Sequence, residues 1–357
     1  MTQTSSPHTQ ALLTLLGTTY PLIQAPMAGV QNHALAAAVC NAGGLGSLPC
    51  AMLSLDALHA ELTALRAATD KPFNVNFFCH TPPTPDALHE QQWRAALTPY
   101  YAEFGITPED ITAGPGRAPF TAEAAEVLAE FKPAVVSFHF GLPSATLLAQ
   151  VRRWGAVVLS SATTVAEARW LEANGVDAII AQGLEAGGHR GMFLTDDVTT
   201  QLGTFALLPR IVQAVNLPVI AAGGIADAQG VAAAVALGAA GVQVGTAYML
   251  CPEATTSAVH RAALASDAAN HTALTRLFTG RPARGIVNQV MRELGPLSPI
   301  APAFPLATTA ITPLRSKTEA LGSGDFSPLW AGQNASGCRA TGAADITQTL
   351  ASGFHSL

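Results

Sequence analysis

Short apolar runs, each ending in glycine, proline or a polar residue and each followed by a stretch of helical period, recur along most of the chain. The first, Leu22 to Ala25, runs into Pro26, Met27, Ala28 and Gly29, and a helix is predicted from about Asn32 to Asn41. Leu45 to Leu48 and Phe73 to Asn76 read as strands, separated by a helix from about Leu55 to Ala67 that Ser54 or Asp56 would cap. After an interruption the rhythm resumes with strands at Ala134 to Ser137, Ala156 to Leu159 and Ala178 to Ala181, each preceded by a helical stretch. The segment Leu217 to Thr246 supplies two more. Val219 to Ala222 ends in Gly223 and Gly224, Asp227 can cap an Ala-rich helix that stops at Gly238, and Gly241 to Val244 runs into Gly245 and Thr246. Eight strands alternating with helices predict an α/β chain folded as a (β/α)8 TIM barrel, with a smaller, mainly helical capping region.

The interruptions set the domain expectations. Residues 1-78 form the first part of the barrel, and 79-120 an insertion over its mouth, a candidate lid in which seven prolines (82, 83, 85, 99, 108, 115 and 119) punctuate about two polar helices. Residues 121-251 complete the barrel. Residues 252-320 read as a helical cap region, helical to about Phe278 and then without clear period from Pro282 to Pro313, and 321-357 as a tail returning toward the mouth.

Composition narrows the function classes. Of 357 residues, 49% are hydrophobic and 12% charged, with 31 Gly and 24 Pro, which suits a well-buried α/β protein and argues against disorder. Net charge is -6 and no basic cluster occurs, so no nucleic-acid partner is expected. Mean hydropathy is +0.30, but the most apolar window, Val231 to Val242, is short and rich in Ala and Gly, so no membrane partner is expected either. Met1 to Gln10 has no signal-peptide pattern, and the five scattered cysteines lack a CxxC pair, which points to reduced thiols and a cytoplasmic protein. A homo-oligomer stays open.

A barrel keeps its site at the carboxyl ends of its strands. The residues there are Gln24, Pro26 and Met27; Asn76; His139; Ser160 and Ser161; Gln182, Glu185, Gly187, Gly188 and His189; Gly223 and Gly224; Gln243, Gly245 and Thr246. Amides, glycines and histidines dominate, and no group has metal-ligand spacing, so neither zinc hydrolysis nor two-carboxylate glycoside hydrolysis fits. A cofactor bringing its own chemistry fits better. Gly224, Gly245 and Thr246 can offer N–H donors to a phosphate from two adjacent loops, while Asn76, Gln182 and Gln243 can serve a ring edge. Each glycine pair alone could be a mere tight turn; the two pairs at adjacent strand ends are harder to dismiss. Physics alone does not separate flavin mononucleotide (FMN) from another phosphate ligand. A lone histidine such as His139 is more often a satisfied structural residue, and alternation leaves its facing open. His189 reads equally as a cofactor contact or a loop residue. Glu185 and Arg190 suit a structural use, with each other or with neighbouring loops, and the Cys79-His80 dipeptide makes no dyad.

The segments PLIQAPMAGV (21–30), SFHFGLP (137–143), QGLEAGGHRG (182–191), LPVIAAGGI (217–225), QVGTAY (243–248) and LWAGQNA (329–335) together resemble the nitronate monooxygenase family, formerly 2-nitropropane dioxygenase, in its bacterial class I form. The resemblance implies an FMN-containing barrel, one-electron oxidation of small alkyl nitronates such as propionate 3-nitronate, dioxygen as final oxidant, and a carbonyl product with nitrite or nitrate. It implies FMN contacts at Asn76, Gln182, Gly187, Gly224, Gln243, Val244, Gly245 and Thr246, with Ala25 and Met27 beneath the ring. It further implies a catalytic His139, holding the anionic nitronate or taking the α-proton of a neutral nitroalkane; His189 and Gln333 are additional pocket candidates, with Trp330 beside Gln333 in the tail motif. The EAGGH run also occurs in flavin enoyl reductases. An FMN-dependent NAD(P)H oxidoreductase acting on a quinone or enoyl thioester is therefore the rival enzyme, and a non-catalytic phospholigand-binding barrel the rival of another class.

Overall fold

The computed structural model describes residues 6–112 and 116–355. In chain order the strands are β1 (Leu22–Gln24), β2 (Ser47–Pro49), β3 (Asn74–Phe78), β4 (Val135–His139), β5 (Val157–Ala162), β6 (Ala178–Gln182), β7 (Gly188–His189), β8 (Val219–Ala222), β9 (Gly241–Val244), β10 (Thr272–Thr275) and β11 (Ala283–Ile286). Eight of them pair in parallel in the order β1-β9-β8-β6-β5-β4-β3-β2. The ring closes where Ile23 bridges Leu45, with Gln24 N–H donating to the Leu45 carbonyl at 2.9 Å and Leu45 N–H to Leu22 at 2.8 Å.

Alternation along the strands explains the interior. Residues i, i+2 and i+4 share a face, and the deepest inward layer is apolar: Ile23, Leu45, Val135, Leu159, Ala178 and Ile220 cluster with Leu12 and Leu16 of the helix Pro7–Leu16, which plugs the amino-terminal end. Moving up, the layer turns polar. Asn74 Nδ2 donates to Ser47 Oγ and Ser137 Oγ at 2.9 Å each, so the buried amide nitrogen is satisfied by two hydroxyls while Oδ1 has no partner among the described residues. By the same parity Asn76, His139, Ser161 and Gln182 face inward at the mouth, which answers the question that alternation in the sequence leaves open for His139.

Local chemistry starts the helices where the sequence places them. Ser54 Oγ accepts from Ala57 N–H, and Asp227 Oδ1 from Gly230 N–H at 2.8 Å. The helix that follows β9 in space is Ala343–Ala351, packed between His33–Asn41 and Ala228–Ala236. The tail therefore ends as the last barrel helix, and everything between 245 and 342 is an excursion from one βα unit.

That excursion and the 79–120 insertion share one core. Trp93, Leu97 and Tyr101 of the helix Ala87–Phe104 pack with Ala310, Ile311 and Leu314 of the helix Ala307–Ala320, and with Leu277, Phe278 and Phe326. Three expectations need correction. Helix does not run to Phe278: β10 spans Thr272–Thr275, paired antiparallel with β11, which also pairs with β7. Threonine-rich sequence suits a pleated edge better than a helix, but its partner lies beyond a turn that hydrophobic period does not reveal. Pro99 does not punctuate its helix, and the stretch without clear period to Pro313 is helical at its end: both prolines lie inside helices, where packing of the two helices outweighs the lost hydrogen bond. The insertion holds one α-helix and one 3-10 turn, Pro108–Asp110, and Pro115 lies outside the described residues. Among the described residues no helix is long and apolar enough to cross a membrane.

Candidate functional site

A cavity of about 1380 Å³, its open mouth included, occupies the carboxyl end of the barrel under the cap. Ala25, Met27, Asn76, His139, Gln182, Gly187, His189, Gly224, Gln243, Val244, Gly245 and Thr246 all line it. Gln333 does not: its side chain is exposed, because its N–H is drawn to the Glu185 carbonyl at 2.9 Å, and Trp330, Gly332 and Asn334 of the same segment line the wall instead.

Three loops meet here because β11 gathers them. Its Ala283 and Arg284 pair with His189 and Gly188, and Gly285 bridges Trp330. The tail is then tied to the last barrel loop, where Gly332 N–H donates to Thr246 Oγ1 at 3.0 Å, and to the preceding one, where Asn334 Nδ2 donates to the Gly224 carbonyl at 3.0 Å. Gly223 and Gly224 hold φ of 116° and 75°, values a side chain rarely adopts, so the turn after β8 depends on glycine.

The donor inventory is specific. The backbone N–H groups of Gly224, Gly245 and Thr246 make no hydrogen bond among the described residues. Gln243 Oε1 is buried with no partner. Asn76 is fixed by Nδ2, donating to Ser137 Oγ at 2.9 Å and to the Ser137 carbonyl at 3.2 Å, which leaves Oδ1 unpaired. Gln182 is committed at both ends, to the His189 carbonyl at 3.0 Å and from Gly191 N–H at 2.7 Å. Beneath it Arg190 is fully buried and donates to the Gln182 and Gly183 carbonyls at 2.7 Å each and to Gln201 Oε1 at 2.9 Å. Glu185 instead accepts from Thr204 N–H and hydroxyl, so the two do not pair and both are structural.

The two histidines differ. His139 has a carbonyl, that of His189, 3.1 Å from Nε2, and a carbonyl only accepts; Nε2 therefore carries the proton and Nδ1 accepts from Ser161 Oγ at 3.1 Å. Both of its nitrogens are used. His189 meets Thr279 Oγ1 at 2.9 Å through Nε2, and Nδ1 has no partner in the described structure. Thr279 Oγ1 can donate onward to the Arg281 carbonyl at 3.5 Å, an arrangement that puts the His189 proton on Nε2 and a lone pair on Nδ1. Phe140, between them, holds φ of 70°, an outlier for a bulky residue, with its ring against His139 and the Arg281 guanidinium 4.0 Å from its centre. Cys79 and His80 form no dyad: burial pushes the Cys79 thiol far up, and His80 packs edge-on against Phe304 at 4.8 Å with Nδ1 unpaired.

Burial lowers the histidines from 6.5 to about 4 at His80, His139 and His260, and takes His189 well below 6.5, with Arg117 as the next cause. They are neutral at neutral pH. An unfolded chain takes up these protons before the folded one, so their contribution to stability is complete above about pH 6.5 and is lost as pH falls toward about 4. Thermal midpoints should be level above this window and drop through it. A midpoint independent of pH across it would contradict the buried, neutral assignment.

Phe78 follows Asn76 by two residues and could have been chosen by parity alone; Arg117, which also lines the cavity, sits in a segment with no period and gave no signal.

The family model described as nitronate monooxygenase matches residues 9–353. A protein named nitronate monooxygenase from Paraburkholderia phytofirmans is 47% identical over 349 residues, 96% of this chain and 94% of that protein. Another of that name from Pseudomonas aeruginosa is 43% identical, covering 94% and 96%. Among solved structures, nitroalkane oxidase from Streptomyces ansochromogenes superposes with a TM-score of 0.87 at 38% identity, covering 97% of this chain and 98% of that one. On both the length and the strength of these matches, the chain belongs to the nitronate monooxygenase family.

Proposed function

We propose that the cavity binds FMN and oxidises small alkyl nitronates, propionate 3-nitronate among them, with dioxygen. The observation that carries this reading is the set of unpaired donors at the ends of β8 and β9, facing the same cavity as the free Nδ1 of His189. The residues fit the cofactor. Three backbone N–H groups with no acceptor among the described residues suit a phosphate, and Gly224 holds the positive φ that its turn requires. Asn76 Oδ1 and the orphaned Gln243 Oε1 are acceptors for ring N–H groups, a role in which a buried, unpaired amide oxygen would recover its desolvation cost.

When bound, FMN would supply the one-electron redox chemistry between nitronate and dioxygen. The chain's own residues position and protect. Met27 and Ala25 offer an apolar floor, and Phe78 and Trp330 add apolar wall. His189 presents a lone pair at Nδ1 where the α-proton of a neutral nitroalkane can be taken, a step an already deprotonated nitronate does not need. His139 contributes indirectly: through its proton to the His189 carbonyl it fixes the segment that carries the second ring. That reading moves the acid–base role from His139 to His189. The five free thiols suit a reducing, cytoplasmic setting.

The test is the spectrum and oxygen consumption of the purified protein. A yellow protein that takes up dioxygen with propionate 3-nitronate, and whose flavin bleaches anaerobically with nitronate but not NADH, is the expected result. Rapid bleaching by NADH without oxygen uptake on nitronate would replace it with the reductase reading.

A further inference from the structure

The cavity wall carries a single charged side chain, Arg117, and no carboxylate among the described residues. Arg117 belongs to the segment that crosses from the cap to the helix Ala122–Phe131, so it enters from above the barrel. Among the described residues no Asp or Glu lies within ion-pair distance of it. Its one side-chain hydrogen bond runs from Nη1 to Thr308 Oγ1 at 2.9 Å, and Thr308 in turn donates to the Phe278 carbonyl at 3.1 Å. Nε and Nη2 have no partner among the described residues and are not sealed from the cavity.

Burial lowers the proton affinity of this guanidinium, and the like charge of Arg315 lowers it further. A cation taken partly out of water with no counter-ion is costly, and the cost falls when a ligand brings the missing negative charge. The phosphate cradle does not meet that need, since its donors are backbone N–H groups of Gly224, Gly245 and Thr246 on the β8 and β9 side. Arg117 lies on the His189 side: its charge is the largest single one depressing His189. The free Nε and Nη2 edge is a two-donor fork, which matches the two oxygens of a carboxylate.

We propose that Arg117 is the specificity-determining residue of this site, holding a carboxylate at the end of the substrate remote from the nitronate carbon. The assignment rests on the nitronate-oxidising reading above. It divides the anion-binding work of the cavity between backbone donors for the cofactor phosphate and one side-chain fork for the substrate.

The experiment compares the FMN-loaded wild type with R117M, which keeps the length and loses the charge, and with R117K, which keeps the charge and loses the fork. Initial rates are taken with propionate 3-nitronate and with ethyl nitronate, which lacks the carboxylate. For R117M, kcat/KM should fall about 10- to 100-fold on the carboxylated substrate, mainly through KM, and stay within about threefold on ethyl nitronate. R117K should recover part of the loss. An equal fall on both substrates, or no fall on either, would overturn the assignment. Calorimetric titration with succinate, an unreactive dicarboxylate, separates this from the parent reading. If the wild type oxidises neither nitronate, the proposed function fails, yet succinate binding that is present in wild type and lost in R117M still supports Arg117 as a carboxylate site. Succinate binding equally well to both proteins, or to neither, counts against it.

Discussion

An alanine at position 187 should yield a folded protein that is purified largely without flavin. A Cβ built on Gly187 would stand 2.6 Å from the Ala331 carbonyl carbon and 2.6 Å from Gly332 N, backbone atoms that cannot swing aside as a side-chain tip could. The tail must then retreat from the loop after β6. Retreat breaks the hydrogen bond from Gly332 N–H to Thr246 Oγ1 and strains that from Asn334 to the Gly224 carbonyl, which are the ties holding the tail to both donor loops. Overpacking of this kind costs about 1–3 kcal/mol, equivalent to roughly 10- to 100-fold in FMN affinity when the strain falls on the closed, loaded form. The ratio of flavin to protein absorbance after gel filtration measures it, with a thermal melt to show that the barrel persists. A stoichiometric yellow G187A protein would mean that the tail does not close the flavin site.

Barrel and site were legible in the sequence to different depths. The strands show because parallel strands buried on both faces are apolar runs, and because each ends in residues that no helix tolerates, as at Gly223-Gly224 and Gly245-Thr246. Asp227 and Ser54 were readable as caps because capping is a contact over three residues. What failed depends on contacts between distant segments. β10 is a strand only because β11 lies beside it, and β11 also fixes β7 and Trp330. Pro99 and Pro313 stay helical because their helices pack on each other across more than 200 residues of chain. Gln333 was named in place of Asn334 for the same reason: which residue of that irregular segment turns inward is decided by Glu185 and Gly224, not by any period.

Removing the imidazole of His189 should separate neutral nitroalkane from nitronate, and removing that of His139 should not. His189 offers an unpaired Nδ1 to the cavity, held neutral by burial and by the charge of Arg117, and its other nitrogen is fixed by Thr279. That is the state a general base needs. For H189A, kcat/KM on nitroethane is expected to fall by about 10²–10⁴, with the primary isotope effect of α-deuterated substrate retained or raised, because C–H cleavage by solvent becomes the slow step. On ethyl nitronate, whose α-proton is already gone, the fall should stay within about tenfold, the part owed to lost packing and polar contacts. H139A acts differently. It leaves Ser161 Oγ without its acceptor and takes one of two donors from the His189 carbonyl, Gln182 Nε2 keeping the other. Both substrates should then lose rate by a similar factor, since the loosened segment, Gly188 and His189, walls the pocket that both occupy, while Gln182 Nε2 and Thr279 still hold the base in place. Parallel losses on the two substrates in H189A, or a loss confined to nitroethane in H139A, would return the base to His139 and require its ring to break from Ser161 or from the His189 carbonyl during turnover.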